Sequence, residues 1–307
     1  MNNQTLPEFP DFAALGPHHQ TAIKDLVGNH APYSDYNFVS LWSWDHERKL
    51  RLSTLNGNLV IRFQDYSDPT DFFYSFIGIN HADKTASSLL KQSQQEGKSE
   101  LRLIPETVIK SFKDPGQFFI SEDRDSFDYI IATTPEPESE QHKPKRREVH
   151  RFMKEYGHQV TVSEMDLNDP KSSEDILKVF EDWQADIGTD SRFNAGELAA
   201  LKKLLAEKHS IDTSNLHVVG LYMSGELSAF CISEVLAEGY AMGHYAKTNR
   251  KYRRAGAALD HFTHETLAAK GVKFLNYEQD LGLEGLRNSK LSKQPVFFLK
   301  KYKVGFK

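Results

Sequence analysis

One polar stretch in mid-chain constrains this sequence more than any other feature: Thr134-Pro135-Glu136-Pro137-Glu138-Ser139-Glu140-Gln141-His142-Lys143-Pro144. It carries three prolines and no apolar periodicity, so it has no face to bury and must run as an exposed connection. A chain of 307 residues cut there gives two halves of ordinary domain size. The expected division is 1–138 and 139–307.

The first half reads as helix, helix, three strands, helix, strand, helix, two strands. Pro17 to Val27 forms a helix with Ile23, Leu26 and Val27 on one face and Gly28 as its stop. Asp35 is placed to cap a second helix that gathers Phe38, Leu41 and Trp42. Leu50, Leu52 and Thr54 alternate, Asn56-Gly57 turns, and Leu59, Ile61 and Phe63 alternate back, a strong hairpin signal. Phe72 to Ile79 is a third strand, and its aromatic run suits a buried strand better than a base-stacking surface. A helix over Asp83–Glu96 ends at Gly97, Leu101–Ile104 is a strand, Pro105 opens a short helix, and Phe118–Ser121 and Tyr129–Ala132 are strands.

The second half opens with a basic helix, Arg146 to Tyr156, and then repeats the order. Val160 and Val162 mark a strand. Ser172 with Asp175 reads as a capping box before Ile176, Val179, Phe180, Trp183 and Ile187, and Asn194 as the cap of the next helix. Leu216–Met223 and Leu227–Leu236 form a hairpin across Ser224-Gly225. A strand over Gly239–Ala246, a helix ending at Gly271, a strand over Lys273–Tyr277, a short helix near Leu283–Leu291 and a strand over Val296–Lys301 complete it. Two halves with one element order and unlike sequences point to two copies of one architecture.

Bulk properties narrow the functional classes. The chain has 39% hydrophobic and 26% charged residues, which is that of a soluble globular protein. No apolar run approaches the ~18 residues of a membrane span, and the amino terminus carries no basic segment leading an apolar run. The expected location is therefore cytoplasmic, with peripheral membrane contact left open. The single cysteine, Cys231, lies among apolar neighbours and reads as a small core residue; one cysteine rules out a disulfide framework within the chain. A net charge of −5 argues against a uniformly basic nucleic-acid binder. Basic residues nevertheless cluster at Lys143–Lys154, at Lys247–Arg254 and at Arg287–Lys293, which suits a phosphate-bearing small ligand or a tRNA end as well as plain surface charge.

The chemistry-bearing segment follows the fourth strand of the second half. Arg253-Arg254-Ala255-Gly256-Ala257-Ala258 fits the pattern Gln/Arg-x-x-Gly-x-Gly/Ala, and a helix follows it with Leu259, Phe262, Thr266 and Leu267 facing the core. A turn feeding a helix N-terminus points backbone N–H groups outward, the helix dipole adds positive potential, and glycine and arginine suit a pyrophosphate. Pattern and element order resemble the GNAT acyltransferase superfamily. The resemblance implies an α/β (α+β) fold of two tandem GNAT lobes, each a mixed, mostly antiparallel sheet flanked by helices. It also makes Arg253, Arg254, Ala255, Gly256, Ala257 and Ala258 the donor-binding residues. The matching position of the first half, Gly78-Ile79-Asn80-His81-Ala82-Asp83, has no arginine, which leaves one donor site instead of two.

Two further stretches, Tyr33–Phe38 with Leu41, Trp42 and Trp44, and Asn276–Arg287 with Lys290, Pro295 and Lys301-Tyr302, look like the family named for the phosphatidylglycerol lysyltransferase C-terminal domain. That resemblance implies transfer of an acyl or aminoacyl group from acyl-CoA or aminoacyl-tRNA to an amine or hydroxyl acceptor, here a small molecule or peptide. The sequence has no counterpart of the transmembrane half of the lipid-modifying enzymes. Read from the residues, Glu278 and Asp280 stand at a strand end, where ligands of open α/β sheets bind, and either suits the base that direct acyl transfer requires. Arg287, Lys290 and Tyr277 suit acceptor binding, although an Asp280–Arg287 structural ion pair fits equally well. His261-x-x-His264-Glu265 matches no metal-ligand spacing, so no metal is expected and both histidines read as surface residues. Two functions stay open: an acyltransferase, or a non-catalytic metabolite-binding or adaptor protein that keeps the fold. Oligomeric state is not legible.

Overall fold

The computed structural model describes residues 6–65, 71–134, 143–187 and 192–307. The expected boundary at 138/139 and most of the proline-rich connection lie outside them. Contacts sort the chain into two units, Met1–Tyr129 with Gln279–Ser289 and Phe298–Lys307, and Ile130–Glu278 with Lys290–Phe297.

In the first unit a short strand β1 (Ala13–Ala14) and a 3-10 turn over Pro17–His19 lead into α1 (Gln20–Val27), with Ile23 fully buried. The cap of α2 (Phe38–Trp44) is Asn37, whose side chain accepts from the Ser40 N–H. Asp35, the expected cap, is instead buried in the preceding 3-10 turn. Strands β2 (Arg51–Leu55) and β3 (Asn58–Gln64) meet with Leu55 opposite Asn58. Asn56 and Gly57 both take positive φ, 55° and 76°, as a two-residue turn matching strand twist requires. β4 (Phe72–Ile77) lies antiparallel to β3, giving a four-stranded sheet β1-β2-β3-β4. Then follow α3 (Ala82–Gln95), β5 (Glu100–Pro105), α4 (Glu106–Lys110), β6 (Phe118–Glu122) and β7 (Asp128–Ala132). Val60, Tyr74, Phe76, Leu89, Leu90 and Leu101 form this unit's core, each worth about 1.5–3 kcal/mol of burial.

The second unit opens with α5 (Lys143–Tyr156) and β8 (Val160–Met165). Helix α6 (Pro170–Ile187) starts earlier than the Ser172 box implied, because Asp169 accepts the Lys171 N–H and Pro170 suits the first turn. In α7 (Arg192–Glu207) Asn194 lies inside the helix and does not cap it. β9 (Leu216–Met223) and β10 (Glu226–Val235) form the expected hairpin across Ser224-Gly225, followed by β11 (Tyr240–Thr248), α8 (Ala255–Ala269) and β12 (Phe274–Asn276). Phe152, Leu221, Met223, Ala229, Cys231, Ala258 and Leu259 pack between α5, α8 and this sheet. Burial pushes the Cys231 thiol pKa up, as a core role implies.

The chain ends with α9 (Glu284–Ser292), β13 (Phe297–Leu299) and β14 (Lys301–Phe306). The sequence suggested one strand here. It is two, and they enter different sheets: β13 borders β7 in the order β13-β7-β12-β11-β10-β9-β8, and β14 runs between β5 and β6. The last strand of the chain's first half thus joins the second unit's sheet, and the last strand of all joins the first unit's. Lys301 fixes the switch. Its side chain is wholly buried and ion-paired with Asp35 and with Asp128 Oδ1 (2.7 Å).

Candidate functional site

The sheet of the second unit opens along one strand pair. β11 and β12 run parallel but pair only at Tyr240–Phe274, Ala241–Leu275 and Met242–Asn276. Beyond Asn276 β12 stops, while β11 continues to Thr248. At the same level β11 bulges: Ile232 of β10 faces Tyr245 and Ser233 faces Gly243, so His244 is the extra residue. A bulge re-aims a side chain and bends its strand.

His244 points between two carboxylates. Its Nε2 lies 3.5 Å from Glu234 Oε2 on β10, and its Nδ1 lies 3.7 Å from Glu278 Oε1 just past β12. The side chains of His244, Glu234 and Glu278 are 2%, 3% and 19% exposed, so Glu278 is the member that reaches solvent. Glu278 is held by its backbone. Its N–H donates to Oδ1 of the buried Asn276 (2.7 Å), and its φ is 58°, an uncommon left-handed geometry for a side chain of this kind. Burial alone would lower the His244 pKa. Glu234 and Glu278 outweigh it and raise the pKa to about 9, so the ring is an imidazolium at neutral pH.

A stability prediction follows with a definite sign. A histidine whose folded pKa is raised stabilises fully below its unfolded value near 6.5 and loses that contribution as pH rises through the folded value. Unfolding free energy should therefore fall between pH 6.5 and about 9, by up to about 3 kcal/mol. His244→Gln should flatten that slope in denaturant titrations at several pH values.

The loop from Asn249 to Arg254 carries the chain from β11 to α8. Asn249 N–H donates to Ser228 O (2.7 Å), and Lys251 N–H donates to Asn249 Oδ1 (2.9 Å). Arg254 is the N-cap of α8 at φ 69° and provides no side-chain cap. Its guanidinium turns to α5, with Nε 2.7 Å from Glu148 Oε2 and Nη1 3.3 Å from Glu155 Oε2. Arg253 is the exposed arginine of the pair. Ala255 and Ala258 are buried and Ala257 is half-buried. Gly256 faces open space: an added Cβ would meet only Thr248 Cγ2, at 4.0 Å.

Inside α8 lies a second polar cluster. Tyr277 Oη donates to Asp260 Oδ1 (3.1 Å) and lies 3.1 Å from His264 Nε2. Lys293 and Lys145 both reach Asp260 Oδ2, the latter at 3.6 Å. Burial would raise the Asp260 pKa, but Lys293 and Lys145 bring it down to about 2. Burial, with Lys145 adding to it, drives His264 down to about 3. The surface reading of this histidine pair thus fails for His264, which packs inward, and holds for His261, which pairs with Glu265 in solvent. Among the described residues no group of three or more His, Cys, Asp or Glu is arranged to hold a metal ion.

Asp280 and Arg287 belong to the first unit. Arg287 grips Asp280 with both arms of its fork, Nε to Oδ2 at 3.0 Å and Nη2 to Oδ1 at 2.9 Å. Tyr129 Oη, Arg124 Nη1 and the Gly282 N–H also donate to this fully buried carboxylate. Burial would raise the Asp280 pKa, yet these donors lower it. Five donors saturate its lone pairs, so Asp280 has the geometry of an ion-pair partner and not that of a proton acceptor. Lys290, also buried, lies in the second unit. Sequence reading missed His244, Glu234, Asp260 and Arg124, and no local pattern singles them out.

The profile of the family described as phosphatidylglycerol lysyltransferase, C-terminal, matches residues 29–305. The chain belongs to that family. A conserved protein of unknown function from Bacteroides thetaiotaomicron is similar in structure, with a TM-score of 0.83 at 20% identity, over 96% of this chain and 99% of that one. L-PGS from Bacillus licheniformis superposes with a TM-score of 0.61 at 14% identity, over 99% and 94% of the two chains. FemX does so with 0.59 at 8% identity, over 95% and 96%. No curated protein matches by sequence. The family is acyltransferase-like, and the fold shared with L-PGS and FemX is mixed α/β, with antiparallel-dominated sheets flanked by helices. No helix among the described residues is long and apolar enough to cross a membrane.

Proposed function

We propose that the second unit is an acyltransferase centre that binds its donor along the opening between β11 and β12. The observation that carries this reading is a coincidence on one strand. Where β11 parts from β12 it presents His244 and, through it, Glu278; where it ends it feeds the N-terminus of α8. A donor whose anionic part meets the N–H groups at Gly256 and Ala257, with Arg253 beside them, can lay its acyl end along the opening toward Glu278. The acceptor amine or hydroxyl attacks the acyl carbon, the donor's thioester or ester bond breaks, and Glu278 takes the acceptor's proton directly or through water. Asp280, the other strand-end carboxylate, takes no part in this step: it holds Arg287 within the first unit. Tyr277 and Lys290, which belong to the same unit as Glu278, are assigned to the acceptor.

The donor is acyl-CoA or an aminoacyl-tRNA. The name of the family, a lysyltransferase, favours the aminoacyl form. So does α5, which presents Arg146, Arg147, His150 and Arg151 around one shallow surface, because a tRNA arm needs more phosphate contacts than CoA. The acceptor is a small molecule or peptide, and the expected setting is the cytoplasm. The first unit has no second donor site in this reading: Asn58 clamps the corresponding loop, donating to Asn80 O (2.7 Å) and accepting from Asn80 N (3.1 Å).

Calorimetry with CoA, acetyl-CoA and an aminoacyl-tRNA tests the donor site directly, and no heat from any of them well above micromolar concentration sinks the proposal. With a competent acceptor, Glu278→Gln should cut turnover about 10²–10⁴-fold and leave donor affinity unchanged. The pairing of Arg254 with Glu148 and Glu155 favours a second reading, a non-catalytic metabolite-binding protein, because it diverts one arginine from the donor. That reading expects donor binding without turnover.

A further inference from the structure

Behind Glu278 stands a charge arrangement that fixes more than the fold requires. Glu234 is a buried carboxylate and His244 a buried imidazolium, and as a pair they are neutral. Glu278 adds a second carboxylate to the same ring, so the cluster carries a net charge of −1, and that charge is available only at the member that reaches solvent. Glu234 from β10 and Glu278 from the segment after β12 are set against the ring. The separations of 3.5 and 3.7 Å are ion-pair lengths and longer than good hydrogen bonds, so charge does the aligning. Two constraints orient the ring independently: the bulge sets the direction of its Cα–Cβ bond, and Glu234 takes Nε2. What remains is Nδ1, and it faces Glu278.

We infer that His244 is a positioning residue of the acid–base step: anchored on Glu234 through one ring nitrogen, it aims the Glu278 carboxylate with the other. This rests on the acyl-transfer reading of Glu278. His244 does not take the acceptor's proton itself, because it is buried and already protonated at neutral pH. Glu234 touches no reacting atom; it supplies the counter-charge without which a buried imidazolium would deprotonate. The left-handed backbone at Glu278 fits the same role, since strain of this kind persists where surrounding contacts hold a side chain in place.

The test uses the full chain labelled with [δ-13C]glutamate, the Glu278 carboxyl signal being identified by its loss in Glu278→Gln. In the unaltered protein that signal should shift near pH 9 as the His244 ring titrates. His244→Gln should remove that step, and Glu234→Gln should move it to lower pH. A step near pH 9 that persists in His244→Gln, or no ring-linked step in the unaltered protein, overturns the inference. The second of these needs no variant to fold. Calorimetry with CoA on the same samples separates the two ideas. Linked titration without binding of CoA or aminoacyl-tRNA defeats the donor reading and keeps the coupling, whereas donor binding without linked titration defeats His244's role alone.

Discussion

Replacing Lys301 with alanine is expected to destabilise the protein by about 3–5 kcal/mol, more than any ordinary surface or loop substitution. The amine is wholly enclosed. It contacts Asp35, Asp128 Oδ1 at 2.7 Å and Ser34 Oγ at 3.3 Å, and Asp128 is itself held by the Ser34 N–H and hydroxyl at 2.8 and 2.6 Å. Burial disfavours a charged lysine, but Asp128 and Asp35 outweigh that and hold its pKa above the usual lysine value. Without the amine, two interior carboxylates lose the cation set between them, and the cost is their desolvation. The residue also opens β14, whose neighbours β5 and β6 lie on either side of it. The control is Lys301→Met combined with Asp35→Asn and Asp128→Asn, which removes all three charges together. It should recover much of the loss, because the penalty comes from unpaired charge and not from a missing attraction. Denaturant titration of both proteins decides the matter; a loss below about 1 kcal/mol for Lys301→Ala would show that water or rearrangement relieves the carboxylates.

Local chemistry explains which parts of this architecture the sequence displayed. The hairpins at Asn56-Gly57 and Ser224-Gly225 were legible because the residues that permit positive φ sit between alternating runs. Helix α8 and its turn were legible because small residues, arginines and apolar periodicity fall in consecutive positions. Long-range pairing left no such mark. The switch of β13 and β14 into different sheets depends on Lys301 meeting Asp35 and Asp128, residues more than 170 positions away, and no local pattern encodes that. Asp35 was misread for the same reason, since a carboxylate beside a helix start is as good a cap as it is an ion-pair partner. In the candidate site, Glu278 could be found from its strand-end position. His244 and Glu234 could not, because they acquire meaning only through the bulge that separates Ser233–Gly243 from Ile232–Tyr245. Asp280 shows the converse: its place in the sequence matches that of Glu278, and only its enclosure by Arg287, Arg124 and Tyr129 distinguishes the two.

Gly256→Glu should separate stability from donor binding by moving them in opposite directions. The residue lies in the first turn of α8, where an added Cβ meets nothing closer than Thr248 Cγ2 at 4.0 Å, so the fold accepts a side chain there without strain. Exchanging glycine for a better helix former gains about 0.5–1 kcal/mol, and a carboxylate near a helix N-terminus gains roughly another 0.3–1 kcal/mol. The variant should therefore melt at or above the temperature of the unaltered protein. The same carboxylate occupies the space and satisfies the positive potential that the donor's phosphates would use, and it repels them. Affinity for CoA or aminoacyl-tRNA should fall about 100-fold or more, near 3 kcal/mol, with much of the salt dependence of binding lost. Gly256→Ala, which adds one methyl group and no charge, should fall between the two. If Gly256→Glu binds the donor as tightly as the unaltered chain, the turn is an ordinary strand-to-helix connection and the donor lies elsewhere. If it both melts lower and binds less, the glycine serves the fold and the experiment speaks only to packing. The expected combination, a more stable protein that has lost its ligand, follows from a helix start built to receive an anion that the chain itself does not supply.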